Sequence, residues 1–312
     1  MIGKRIKRRL LRALNLHHLK RWFRSLTALF CLFHIQTGFG ETSLTEPDTS
    51  PIVSAETPLQ TIPSEEFRFA ALVKKLNKDS QALWLVSGEE RFLALYKPAN
   101  GANEQGAALI ISDNGHHPDW PGPVRDLRNS LPLHEWATLS LALPLQSADK
   151  NTADSALFSS LETNPKLTLR LQSAMTHMQG LGLYNIVVIA VGNAAPLTAL
   201  SLIELPESSY AGFIALAPWS INDKTQAIMA ESFTDLPSGV LELVPALWPK
   251  AGLVQRKGLA EKKQHPNYSQ VKLLGDIKHF KDSPQLLPRI RGWLKRNAEA
   301  MEGKRQQSKD KN

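Results

Sequence analysis

Cysteine is nearly absent from this 312-residue chain: Cys31 is the only one. It lies in an N-terminal leader, so cleavage after Gly40 would leave a mature protein without a thiol. Disulfides, thiol nucleophiles and cysteine-ligated metals are then excluded, and the avoidance fits an oxidising compartment. Acidic residues are missing from the first forty positions. Residues 1–24 hold nine of the 37 basic side chains, and residues 25–40 carry no charge. The other 28 basic side chains face 29 acidic ones, so the net charge of +8 belongs to the leader and the body is neutral. A nucleic-acid partner, which needs a basic face on the folded domain, is not expected. Nucleotide signatures are lacking too. Gly180-Leu181-Gly182 ends a helical pattern and precedes a strand, the wrong order for a dinucleotide fingerprint, and there is no P-loop. No cofactor is expected.

A long hydrophobic run is the third absence. Ser25 to Phe39 is apolar but short, and His34 and Gln36 interrupt it, so a spanning anchor fits less well than a signal peptide. A basic n-region, a short apolar core and the small residues Gly38 and Gly40 describe a secretory signal over residues 1–40. This predicts a periplasmic or exported protein beginning at Glu41, with membrane contact only through the signal segment. An uncleaved inner-membrane anchor and a basic helix lying on the membrane surface are the alternatives. Residues 41–63 are rich in Thr, Ser, Pro and Glu and read as a disordered linker. A domain over 64–298 and a charged, frayed tail over 299–312 complete the organisation.

Within the body, Ser64-Glu65-Glu66 opens a short helical pattern. Ala82–Val86 and Phe92–Tyr96, separated by Ser87-Gly88-Glu89-Glu90, form a hairpin signal. Apolar runs at 106–111, 137–143, 186–191, 212–216, 240–244 and 268–274 read as strands. Helical patterns at 124–131, 165–180, 194–205, 221–231 and 250–263 alternate with them. Asn164 before Pro165 is an N-cap with proline at the first helical position. Ser283-Pro284 caps a terminal helix with Leu287, Ile290, Trp293 and Leu294 on its buried side. A hairpin followed by strand–helix repeats predicts an α/β three-layer sandwich: a mostly parallel sheet with an antiparallel N-terminal hairpin.

That element order is the α/β-hydrolase order, in which the nucleophile sits on a tight turn, Gly-x-Ser-x-Gly, between a strand and a helix. The matching turn is Ala190-Val191-Gly192-Asn193-Ala194, with Gly192 at the nucleophile position and no Ser, Cys or Asp. Glycine there relieves backbone strain, so Gly192→Ser is expected to lower stability by about 1 kcal/mol or somewhat more. The loop after the 107–111 strand, Ser112-Asp113-Asn114-Gly115-His116-His117-Pro118-Asp119-Trp120, stands where a hydrolase donates an oxyanion-hole N–H. Asn114, Gly115, His116 and Asn193 are the pocket candidates. A purely structural turn at Asp113 and Asn114, with Trp120 packed on the next helix, is the other reading. A metal is not expected, because adjacent His116 and His117 cannot easily face one ion. His279, after the last strand, holds the position of a catalytic histidine. No carboxylate follows the 240–244 strand; Glu242 lies inside it and Asp223 follows the strand before. A pocket lined by Asn114, Gly115, Gly192, Asn193 and His279 is expected at the carboxyl ends of the strands.

The stretch Asp119-Trp120-Pro121-Gly122, Leu127-Arg128, Leu131, Trp136-Ala137-Thr138-Leu139-Ser140 and Leu143-Pro144, with the closing Arg291-Gly292-Trp293-Leu294-Lys295-Arg296-Asn297-Ala298, resembles an uncharacterised proteobacterial family of the α/β-hydrolase superfamily. The resemblance covers roughly 65–298 and carries no established activity. The family's elbow commonly reads Gly-His-Gly-x-Gly-Ala, and Ala190 and Val191 stand here in place of its Gly and His.

Two classes of function remain open on these grounds. One is a catalytically silent envelope protein that binds a small apolar or acyl ligand, or a protein partner. The other is an esterase or acyl hydrolase with a non-standard site, in which His279 serves as general base.

Overall fold

A computed structural model describes residues 64–144, 161–219, 222–274, 280 and 283–309, with the side chains of the last helix described to residue 297. The expected signal peptide, the linker and His279 lie outside the described residues.

The chain enters through helix α1 (Glu65–Lys74), whose Phe67 amide donates to the Ser64 hydroxyl at 3.4 Å. Strands β1 (Gln81–Ser87) and β2 (Glu90–Lys97) form the expected antiparallel hairpin around Gly88-Glu89. Then follow β3 (Gly106–Ile111), α2 (Pro123–Ser130), β4 (Trp136–Leu141), α3 (Pro165–Gly180) and β5 (Ile186–Val191). The second half runs α4 (Ala194–Ile203), β6 (Gly212–Leu216), α5 (Asp223–Asp235), β7 (Gly239–Pro245), α6 (Lys250–Lys262), β8 (Tyr268–Leu273) and α7 (Leu286–Lys309).

All eight strands join one sheet in the order β1-β2-β4-β3-β5-β6-β7-β8. The β2–β4 pair is antiparallel and β4 through β8 are parallel. The central strands are apolar at every position because both faces are covered. On β5, Ile186, Val188 and Ala190 join Leu167 and Leu171 of α3 and Phe233 of α5 in one core layer. Val187, Ile189 and Val191 join Val124 and Leu127 of α2 and Ile290, Trp293 and Leu294 of α7 in the other. Alternation along a strand thus builds two cores on one sheet. A third cluster seats Phe69 of α1 on Leu93 and Leu95 of the hairpin.

Side-chain caps set several boundaries. Asn164 Oδ1 accepts from the Lys166 and Leu167 amides at 3.1 and 3.3 Å, directly before Pro165. Helix α5 outruns the apolar pattern that suggested an end at Glu231 and reaches Asp235. Ser232 and Thr234 donate back to Met229 O and Ala230 O at 3.0 and 2.8 Å, so their hydroxyls find partners inside the helix. Ser283 does not cap α7; its hydroxyl donates to Leu274 O at 2.7 Å, and the helix begins at Leu286. Helix α7 continues through the charged stretch to Lys309, beyond the end at Ala298 that the sequence pattern suggested. Among the described residues no helix is long and apolar enough to cross a membrane.

Candidate functional site

Sheet order makes β3 and β5 neighbours, so the loop after β3 meets the turn after β5 although some eighty residues separate them. The turn has the elbow's backbone form. Gly192 has φ +59°, its amide donates to Leu216 O at 2.8 Å, and α4 starts two residues later. A side chain at this φ meets its own backbone, which glycine avoids.

The space beside Gly192 is filled. A Cβ built on it would lie 2.2 Å from Asp113 Oδ2 and 2.8 Å from Asp113 Oδ1. The same carboxylate accepts, through Oδ1, the Asn193 amide at 2.8 Å and the Asn114 amide at 2.8 Å. In an acyl-transfer enzyme of this architecture, the residue after the nucleophile and the loop after β3 supply the two oxyanion-hole N–H groups. Here the corresponding N–H pair holds the chain's own carboxylate, which stands where a nucleophile's side chain and a bound oxyanion would be. The amides of Asn114 and Asn193 thus meet on Asp113, a residue the sequence marked only as part of a turn. The turn exists as well, since the His116 amide donates to Asp113 O at 3.1 Å. Thr198 and Ser201, the hydroxyls nearest the elbow in sequence, are fully buried in α4.

The rest of the β3 loop is pinned from several sides. Ser112 Oγ donates to His116 O at 3.1 Å, and Ser140 Oγ on β4 donates to Pro118 O at 2.7 Å. His116 stacks on Trp120 with ring centroids 3.9 Å apart, and His117 meets the same ring edge-on. The Asp119 amide donates to His117 Nδ1 at 3.1 Å, which leaves the neutral ring's proton on Nε2. Burial lowers the His117 pKa from 6.5, against the pull of Asp119, so this tautomer holds at neutral pH. The Asp119 carboxylate accepts from Arg128 Nε and Nη2 at 2.9 and 2.6 Å and from Arg125 Nε at 3.1 Å. Gly122, with φ +95°, starts α2 and turns the chain so that both arginines reach that carboxylate. Among the described residues no group of three His, Cys, Asp or Glu side chains could hold a metal ion.

No carboxylate follows β7, where a hydrolase would keep its acid. Residues 246–249 lead directly into α6, and Trp248 meets Trp219 edge-on at 5.7 Å. Glu242, inside β7, is fully buried and belongs to a separate cluster. It pairs with Arg256 of α6 and accepts Tyr268 Oη at 2.6 Å and Gln270 Nε2 at 2.8 Å. Burial first, then Glu242, pushes the Tyr268 phenol up, so it stays protonated and donates. Asp223 is exposed at the start of α5, beside a cavity of about 270 Å³ lined by Trp219, Trp248 and Arg256.

A larger cavity of about 640 Å³ lies on the α1 side of the β3 loop. Gly115 and His116 line it, whereas Asn114, Gly192 and Asn193 do not. The five-residue pocket expected from the sequence is thus divided between this cavity and the elbow, with His279 outside the described residues.

Comparison with known proteins bears on the fold. Residues 40–166 and 146–296 match the family of proteins of unknown function DUF3530. No curated protein matches the sequence significantly. Among solved structures, an esterase of Pyrococcus furiosus is similar at TM-score 0.52 and 11% identity, over 72% of this chain and 90% of the esterase. A dienelactone hydrolase of Anabaena variabilis is similar at 0.51 and 14%, over 69% and 94%. The 2,6-dihydroxy-pseudo-oxynicotine hydrolase gives 0.53 and 12%, over 72% and 70%. The fold is the α/β-hydrolase fold, as the element order and the sequence resemblance indicated.

Proposed function

The chain belongs to the DUF3530 family, and from that premise we propose that it is an exported, non-catalytic α/β-hydrolase-fold protein of the cell envelope that binds its ligand without turning it over. The observation that carries this reading is the Asp113 carboxylate at the elbow. It takes the two N–H groups that would stabilise an oxyanion and lies within 2.2 Å of any Cβ at position 192. Acyl transfer needs a nucleophile and vacant donors aimed at the developing charge, and this elbow offers neither. A fold of this kind can keep its binding surfaces after its chemistry is gone.

The test is direct. Incubated with a fluorophosphonate probe and with short-chain p-nitrophenyl esters, the protein is expected to show no labelling and no turnover above buffer. Turnover that disappears in His279→Ala would overturn the reading and establish the hydrolase alternative.

Export rests on the acid-free basic leader and the small residues at 38 and 40. N-terminal sequencing of the protein from its native envelope is expected to read from Glu41. A cytosolic chain that retains Met1–Arg24 would refute export.

A further inference from the structure

We infer that the 640 Å³ cavity beneath α1 binds an aliphatic amphiphile with a carboxylate or phosphate head. This rests on the non-catalytic reading and moves the ligand away from the elbow. The cavity is of the size that holds small molecules, roughly 300–1,000 Å³, and cationic and apolar side chains line it together. Its apolar lining includes the buried Phe69, Ala142 and Leu143, beside the equally buried ion pair of Arg128 and Asp119. Lys75, just past the end of α1, and Arg125, in the first turn of α2, are exposed in the lining, and Arg68 is half-buried.

The only carboxylate in the lining is Asp119, and it is committed to Arg125 and Arg128. Arg128 is satisfied, since Nε and Nη2 go to Asp119 and Nη1 to Ser80 Oγ at 2.7 Å. Arg125 likewise gives Nε to Asp119 Oδ2 and Nη2 to Asp119 O, which leaves Lys75 and Arg68 incompletely paired. Lys75 forms no ion pair among the described residues, and Arg68 Nε is buried without a hydrogen-bond partner. Arg68 meets a single carboxylate, Glu65 at 3.3 Å, which it shares with Arg170 at 2.7 Å. Burial lowers the Arg68 pKa and Arg170 adds to that effect, with Glu65 opposing; an incoming anion would supply the missing counter-charge. Four cations against one carboxylate, beside the apolar side chains of the lining, match an anionic head on an alkyl tail and disfavour a neutral or cationic solute.

Isothermal titration of the full chain with decanoate, decyl phosphate and decanol tests this. Saturable binding of decanoate or decyl phosphate, at least tenfold tighter than decanol, is the expected result, and the stronger of the two identifies the head. Lys75 is exposed and its side chain makes no ion pair or hydrogen bond among the described residues, so Lys75→Glu is expected to weaken the anion at least tenfold while lowering the unfolding temperature only slightly, by the cost of an acid at a helix C-terminus. Leu76→Asp, at the apolar lining, is expected to weaken both anions equally. Equal affinity for decanol, an unchanged affinity in Lys75→Glu, or no saturable binding would overturn the proposal. The same three amphiphiles as p-nitrophenyl decanoate, p-nitrophenyl decyl phosphate and a decanol blank separate this failure from that of the parent reading: hydrolysis of an ester sinks the non-catalytic reading, whereas silence without binding sinks only the ligand class.

Discussion

A serine introduced at position 192 is expected to destabilise the protein by about 3 kcal/mol or more, well beyond the strain of its backbone alone. A non-glycine residue at φ +59° costs roughly 1–2 kcal/mol. The new Cβ would also fall 2.2 Å from Asp113 Oδ2 and drive the carboxylate off the amides of Asn114 and Asn193. Hydrogen bonds to a charged group contribute about 1.5–3 kcal/mol each, with exposure reducing that figure. Asp113→Ala alone should lose about 2 kcal/mol for the same reason. Once the carboxylate is gone there is nothing for the serine to strike, so Gly192→Ser in that background should cost only about 1 kcal/mol. Urea unfolding of the four proteins in a double-mutant cycle measures the coupling, expected near 2 kcal/mol. Additive costs would mean that Asp113 does not fill the elbow.

Removing Glu242 should have the larger effect on folding. Glu242→Ala is expected to cost about 3–5 kcal/mol, because it leaves the Arg256 guanidinium, 2% exposed, without a counter-charge. Tyr268 and Gln270 would each lose an acceptor at the same time. Most of this is the penalty of an orphaned charge rather than the net worth of the pair. Replacing both partners with apolar residues, Glu242→Leu with Arg256→Met, should therefore recover most of the loss. Thermal unfolding of the single and double variants decides the point. A double variant no more stable than Glu242→Ala would show that the polar cluster itself stabilises β7 and β8.

Much of the architecture was legible because burial writes itself into the sequence. Strand β5 is apolar at all six positions since helices cover both faces, and Asn164-Pro165 marks the start of α3 to the residue. The glycine at the elbow was legible too, from its place between an apolar strand and a small-residue helix. What filled the elbow was not. Asp113 followed by Asn114 and Gly115 reads as a turn, and it is one. That the same carboxylate also reaches Asn193 depends on β3 and β5 lying side by side, and local pattern carries no record of a contact across eighty residues. Glu242 was hidden differently. A lone acid in an apolar strand gives no sign of its partner, and Arg256 sits on a helix whose other charges are exposed. The ends of α5 and α7 were misjudged where hydroxyls chose partners other than the capping ones, Ser232 and Thr234 inside α5 and Ser283 on Leu274 O.

The carboxylate at the elbow also sets how a lineage with this fold can change. Acquiring a serine at 192 first passes through a protein in which two groups claim one space. Losing Asp113 first passes through a protein with two amides left wanting an acceptor. Either intermediate forfeits a large part of the 5–15 kcal/mol that a domain of this kind has in hand. On the proposed non-catalytic reading, a path to nucleophilic chemistry therefore asks for two substitutions, in the loop after β3 and the turn after β5, of which the first is harmful whichever it is. On that reading the side chain that occupies the elbow works as a historical lock: it would make the loss of a nucleophile far easier than its recovery, and leave change at the surface, including the cavity under α1, as the open direction.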